Sequence, residues 1–148
     1  MFQNLKVIIL LSLVLLLLPA EVLSQGQHSD KTITGELSGF DCAVVGVLCP
    51  TTHRGADYTT GVFTDDDEFY FVVNIPQSFL QQYFRETAEV EGTIYTPYER
   101  AVEPEIIHLI EDGEKRLVYE SGYFIDENNQ RATFQNGVFR NGKWIVEQ

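Results

Sequence analysis

Four side chains of kinds that commonly bind metals lie close together in the sequence: Cys42, Cys49, His53 and Asp57. Thiolate, imidazole and carboxylate ligands suit Zn²⁺ or copper, and four ligands would complete a tetrahedral site. Their spacing, however, matches none of the zinc patterns in which two residues separate paired cysteines. A metal-binding or redox protein that uses Cys42, Cys49 and His53 is therefore one interpretation of this stretch.

Cys42 and Cys49 are the only two cysteines of the 148-residue chain, and six residues separate them. In an oxidising compartment, an isolated pair this close in sequence is expected to form a local disulfide. Thiol oxidoreductases typically use closer cysteines at a helix start. We therefore expect a structural disulfide here, and the sequence indicates no cofactor.

The other reactive residues form no catalytic signature. His108 alternates with Ile106 and Ile110, which predicts a hydrogen-bonded histidine on their face of a strand, in the core or at a barrel mouth. The run from Asp65 to Asp67 lacks the alternating ligands and closing glutamate of an EF-hand, so we expect a solvated turn. No serine lies in a nucleophile elbow, and no glycine-rich phosphate loop is present. We expect a non-enzymatic protein, with a small hydrolase as a third hypothesis.

Residues 1–24 have the pattern of a signal peptide. Lys6 precedes an apolar run over residues 7–18, which Pro19 ends before a short stretch that leads to Ser24. The run is shorter than the roughly 20 residues that a membrane-spanning helix needs. Cleavage after Ser24 would leave Gln25 as the N-terminus. We therefore expect an exported protein, periplasmic or extracellular, with no stable membrane insertion after cleavage.

The chain carries a formal net charge of −12. Lys6 and Glu21 cancel within the signal peptide, so the mature protein keeps the whole of this charge. Nucleic-acid affinity rests on lysine and arginine, so an acidic surface disfavours nucleic acid as a partner. A protein, a peptide or a glycan of neutral or cationic character fits better.

The elements that must position these residues are mostly β-strands. Alternating apolar and polar residues predict strands over residues 32–39, 58–64, 68–73, 87–95 and 105–111. Pro76 ends the third strand and starts a short helix. The helix has one apolar side, which consists of Phe79, Leu80, Tyr83 and Phe84. Three strands, a helix and two strands are the order of an OB-fold, a five-stranded Greek-key barrel.

The length of the mature chain predicts a single domain. A flexible polar leader is expected over residues 25–31 and the OB-fold-like barrel over residues 32–116. Residues 117–148 are expected to form a C-terminal β-meander, an extension of β-hairpins in the same domain. Its turn signals include Asn136-Gly137 and Asn141-Gly142, because Asn-Gly is the favoured two-residue hairpin turn.

Aromatic residues supply a candidate ligand-binding set. OB-folds bind ligands across the face of strands two and three, where rings can stack on the ligand. The candidate rings are Tyr95, Tyr98, Tyr119, Tyr123 and Trp144. They include more amphipathic rings than a small core needs, although core packing is the alternative for each.

Several segments resemble small exported bacterial OB-fold proteins, which are mostly uncharacterised. The resemblance lies in residues 32–37, 74–84 and 90–95, the last leading to Ile106-Ile107. Gly39-Phe40-Asp41-Cys42, followed by Cys49-Pro50, also resembles uncharacterised secreted bacterial proteins of this size. The resemblance covers about two-thirds of the mature chain and implies a fold, but no functional residue.

Together, the acidic charge and the lack of a catalytic signature predict an exported, non-enzymatic binding or accessory module. The ligand of such a module does not follow from the sequence.

Overall fold

A computed structural model describes residues 29–50, 52–94 and 100–147. Ten strands lie within these ranges: β1 (Ser29–Gly39), β2 (Thr60–Phe63), β3 (Phe69–Val72), β4 (Thr87–Ile94), β5 (Ala101–Glu111), β6 (Glu114–Glu120), β7 (Tyr123–Ile125), β8 (Arg131–Thr133), β9 (Val138–Arg140) and β10 (Lys143–Ile145). Two short helices, α1 (Phe40–Ala43) and α2 (Gln77–Gln81), and a 3-10 turn (Gly55–Asp57) complete the described elements.

Strands β1 to β5 close into a barrel. β1 pairs with β2 and β4, β2 pairs with β3, and β4 pairs with β5, all antiparallel. The ring closes where β3 and β5 pair in parallel, with Phe71 opposite Ala101 and Val72 opposite Val102. The helix α2 lies between β3 and β4 in the chain. The predicted OB-fold-like five-stranded Greek-key barrel with one short helix in this connection is therefore confirmed.

The long strand β1 pairs with two neighbouring strands. Residues Ser29 to Glu36 pair with β4, and residues Glu36 to Gly39 pair with β2. Gly35 lies where the partners change, and a Cβ atom there would lie 2.2 Å from the carbonyl oxygen of Phe63. Only glycine allows the two backbones to approach this closely.

The core fills the barrel and the space beneath α2. It contains Ile33, Leu37, Val62, Val72, Phe79, Leu80, Val90, Val102, Ile107 and Leu109, among others. Three of the four predicted helix-face residues, Phe79, Leu80 and Tyr83, are buried. The fourth, Phe84, is half-buried and stacks on the ring of Tyr58 at 6.0 Å between centroids. The predicted apolar side of this segment is thus confirmed, although the regular helix ends at Gln81.

Two strands start earlier than predicted. β1 begins at Ser29, so residues 29–31, which we expected in the flexible leader, instead pair with the end of β4. β5 begins at Ala101 and not at residue 105, because β3 and β4 both offer it partners. The register shifts so that Glu91 opposes Ile106 but Gly92 opposes Pro104. This bulge accommodates a proline within a strand.

The C-terminal strands confirm the predicted meander, with one correction. β6, β7 and β8 continue the sheet from β5, while β9 and β10 form a separate hairpin. Asn141 and Gly142 form the turn of that hairpin, both with positive φ, as predicted. Asn136-Gly137, in contrast, forms no hairpin turn, because the strands on either side of it belong to different sheets.

The β9–β10 hairpin is fastened to the barrel through Trp144. Its backbone N–H donates to Gln82 Oε1 at 2.8 Å, and its indole N–H donates to Ser78 Oγ at 3.1 Å. The Trp144 ring also lies 5.0 Å from the ring of Phe134. The hairpin therefore packs over the segment that contains α2.

Candidate binding surface at the cysteine loop

The predicted disulfide is confirmed. Cys42 and Cys49 are bonded, and their Cα atoms lie 5.3 Å apart, within the usual range for a disulfide. Both cysteines are buried. The bond closes residues 42–49 into a ring, which we call the cysteine loop.

Local backbone hydrogen bonds hold the cysteine loop in one conformation. The Val44 N–H donates to the Phe40 carbonyl at 2.9 Å, and the Gly46 N–H donates to the Ala43 carbonyl at 2.9 Å. Gly46 has φ +70°, a conformation that favours glycine and turns the chain back. The Val47 N–H then donates to the Cys42 carbonyl at 3.2 Å. The disulfide is thus one of several constraints on the loop.

The cysteine loop presents aliphatic side chains to water. The exposed fractions are 66% for Val44, 69% for Val45, 51% for Val47 and 45% for Leu48. Isolated exposed apolar residues are common on protein surfaces, but a contiguous apolar patch typically marks an interaction site. The loop is the most concentrated exposed aliphatic surface in the described part of the chain.

An aromatic cluster lies beneath the loop, on the outer side of the β2–β3 hairpin. The Phe40 ring lies 5.5 Å from Phe69 and 5.1 Å from Phe71, measured between centroids. Ala43 and Phe63 are buried with Phe69, and Phe71 packs against them, in a cluster separate from the barrel core. Val62, Tyr70 and Val72 alternate with them along the hairpin and belong to the barrel core. The loop and the rings therefore share the strand face on which OB-folds bind ligands.

Carboxylates border this apolar surface on one side. A cleft of about 440 Å³ opens between the loop and the β2–β3 turn, and Leu48 and Phe63 form part of its wall. Glu36, Asp65 and Asp67 also line it. The three aspartates of the turn are exposed, in agreement with the solvated turn predicted for them.

Arg85 fixes the Cys49 end of the loop. Its guanidinium donates to the Cys49 carbonyl and lies 3.0 Å from a carboxylate oxygen of Glu36. Burial raises the pKa of the Glu36 carboxyl, and the nearby Arg85 charge opposes that rise. The arginine therefore compensates a largely buried carboxylate and holds the loop at the same time.

The disulfide changes what the predicted metal ligands can do. The ligand atoms of Cys42, Cys49 and His53 lie within 4.8 Å of one another, so the predicted proximity of these three is present. The bonded sulfurs, however, offer no thiolates to a metal. His53 Nδ1 lies 2.6 Å from the Tyr58 hydroxyl, and Asp57 does not join the group. In the oxidised protein, the four residues therefore form no four-ligand site.

The predicted aromatic set is scattered in the described part of the chain. Tyr119 is buried and stacks on Phe134 at 6.2 Å, and Trp144 is half-buried against the same ring. Tyr123 is exposed, and the Arg131 guanidinium lies 4.4 Å from its ring centroid. Tyr95 and Tyr98 lie outside the described residues. Tyr119, Tyr123 and Trp144 thus form no common open face.

The sequence did contain a signal for the surface that the structure reveals. The residues between the two cysteines are all apolar or glycine. Of these, Ala43 is buried, and the four larger aliphatic residues that follow it stay exposed. The rings of Phe69 and Phe71 were predicted as strand residues, but the sequence did not show which face the loop covers.

His108 lies on the outer face of β5. Ile106 and Ile110 share that face, as predicted, while Ile107 and Leu109 are buried in the core. We predicted a hydrogen-bonded histidine in the core or at a barrel mouth. Instead, the half-buried ring carries an Nδ1 atom with no hydrogen-bond partner within the described residues.

No protein-family model matches this chain. Comparisons with curated proteins and with solved structures also found no match. Among the described residues, no helix has the length and hydrophobicity needed to cross a membrane.

Proposed function

We propose that this protein is an exported, acidic, non-enzymatic binding module that docks a polypeptide partner on its cysteine loop. The observation that carries the proposal is the exposure of four aliphatic side chains on one disulfide-closed ring. A loop already held in its binding conformation loses little entropy on binding, so its contacts contribute more fully to affinity. An exposed apolar tip with a preformed shape is therefore suited to a pocket or groove on a partner.

The charges around the loop specify the chemistry of that partner. Leu48 shares a cleft with the exposed carboxylates of Asp65 and Asp67, whereas Arg85 balances the charge of Glu36 in the same cleft. A partner segment that combines apolar side chains with neighbouring lysine or arginine would match both features. A second copy of this chain would instead bring like charges together, and an anionic membrane would be repelled.

Export is part of the same proposal. It is supported by the predicted signal peptide in residues 1–24, by the disulfide, and by the resemblance to small exported bacterial OB-fold proteins. N-terminal sequencing of protein recovered from outside the cytoplasm should begin within two residues of Gln25. A mature N-terminus at Met1 would contradict export by signal cleavage.

Docking is tested with the double variant Val45→Asp, Val47→Asp and two immobilised synthetic peptides. One peptide alternates leucine with lysine, and the other alternates leucine with glutamate. We expect the lysine peptide to bind the native protein, and the double variant to bind it at least about 10-fold more weakly. The variant adds two negative charges, so attraction by charge alone would make its binding stronger.

The matched control for this test carries Gln135→Asp and Asn136→Asp, which place the same two charges in the exposed turn between β8 and β9. The control should bind the lysine peptide at least as well as the native protein. Equal binding by the loop variant would refute docking on the loop. Concentration-dependent dimerisation of the native protein that the loop variant lacks would indicate a second copy as the occupant.

A further inference from the structure

Two glutamates and a histidine meet on the outer face of the sheet formed by β4 and β5. Glu89 of β4 lies directly opposite His108 of β5 in the strand register. Glu91 lies two residues further along β4 and therefore on the same face. One ligand atom from each of the three residues lies within 4.8 Å of the other two.

All three residues of this site are half-buried. The Glu89 side chain is only 14% exposed. The Nδ1 atom of His108 is inaccessible to solvent and has no hydrogen-bond partner within the described residues. Buried polar atoms in native proteins are normally satisfied, so an unsatisfied nitrogen on a ring that lies beside two carboxylates points to a missing ligand.

The two glutamates of the site differ in their ion pairing. Lys115 Nζ lies 2.5 Å from Glu89 Oε1, and this ammonium is the counter-charge of Glu89. No such ion pair is found for Glu91 in the described parts of the chain. Because Lys115 is half-exposed, it can leave Glu89 for solvent if a stronger cation binds.

We propose that Glu89, Glu91 and His108 together bind one divalent transition-metal ion of the Zn²⁺ class. Two carboxylates and one imidazole are ligands that zinc and its neighbours accept, and water can complete the coordination. The glutamate side chains are long enough to close the remaining distance by rotation about their χ angles. The ion would displace Lys115 from Glu89 and would join β4 to β5 on the face away from the barrel core.

The experiment is a titration of the oxidised, chelator-treated protein with Zn²⁺, followed by calorimetry. We expect one ion per chain, and we expect His108→Ala to weaken binding at least about 10-fold. His53→Ala is the matched control, because it removes the histidine beside the disulfide, and it should bind Zn²⁺ as the native protein does. Lys115→Gln should bind more tightly than the native protein, because it releases Glu89 from its ion pair.

The melting temperature gives a second readout, since a ligand that binds only the folded state raises it. Zn²⁺ should raise the melting temperature of the native protein and of Lys115→Gln, but not that of Glu91→Gln. Glu91→Gln keeps the shape of the side chain, so it serves as the test if His108→Ala does not fold. The proposal is overturned if the native protein binds no Zn²⁺, if His53→Ala removes the binding, or if Lys115→Gln weakens it. None of these outcomes depends on the cysteine loop, so the metal site and the proposed docking function fail separately.

Discussion

Replacing Phe79 with alanine is expected to lower the free energy of unfolding by about 3–5 kcal/mol, because it removes a large ring and leaves a cavity. Phe79 is completely buried. Its ring lies 5.4 Å from Tyr83, 5.3 Å from Phe134 and 6.1 Å from Tyr119, measured between centroids. These partners belong to the helix segment and to the C-terminal meander, so one ring joins two parts of the domain. Urea unfolding of the two proteins measures the difference.

The matched control for Phe79 is Phe139→Ala. Phe139 is a phenylalanine on β9 that remains 46% exposed, and its ring lies 5.8 Å from the ring of Trp144. Its replacement should cost less than about 1.5 kcal/mol, the size of an aromatic pair. If Phe79→Ala were no more destabilising than this control, α2 would not be a core element of the barrel.

Loss of the disulfide is expected to lower stability by about 2–3 kcal/mol on the chain-entropy model, in which a short closed loop restricts the unfolded chain. The variant Cys42→Ser, Cys49→Ser measures this loss by urea unfolding, and treatment of the native protein with a reductant should give a loss of the same size. Reductant should leave the double variant unchanged. We also expect the variant to bind the leucine–lysine peptide more weakly, because an open loop must be ordered on binding.

A different result would favour the metal or redox interpretation of the same residues. The Sγ atoms of Cys42 and Cys49 and a nitrogen of His53 are already close together, so reduction would expose two thiols beside an imidazole. If reduced protein gained stability from Zn²⁺, and His53→Ala abolished that gain, the loop would be a redox-controlled metal site. Unchanged stability after reduction, with no metal bound, would show that the disulfide is not a stabilising element.

Local patterns in the sequence were sufficient for most of the barrel. Strand β4 alternates apolar and polar residues, and its inward side chains Val90 and Ile94 are buried as that pattern requires. Pro76 and the apolar spacing after it located the helix segment. The disulfide followed from the number and closeness of the cysteines. In each case the deciding interaction is local, or the pattern itself states which side chains face the core.

The errors occurred where the outcome depends on distant backbone. Residues 29–31 are polar and exposed and carry no alternation, yet β4 offers them hydrogen-bond partners. Pro104 was predicted to lie in the connection before the fifth strand, but a bulge in the β4–β5 pairing accommodates it within β5. Strand pairing between segments far apart in sequence cannot be predicted from either segment alone.

The candidate site was missed for a related reason. Tyr119 and Trp144 were proposed as ligand-binding rings by residue type, but contacts with Phe134 hold both of them against the core. The loop residues Val45 and Val47 have no chemical reactivity, so their residue type alone did not identify them as candidate site residues. Their importance comes from exposure, and exposure depends on how the whole chain packs.

The residues that hold the cysteine loop in place are different from the residues that it exposes. Val44, Val45, Val47 and Leu48 belong to neither apolar cluster of the fold, whereas Cys42 and Cys49 are buried and Arg85 holds the end of the ring from outside it. Mutation can therefore alter these four positions with little effect on folding, as long as the two cysteines and the turn at Gly46 remain. The binding specificity of the ring can therefore change by mutation while the barrel that carries the ring stays the same.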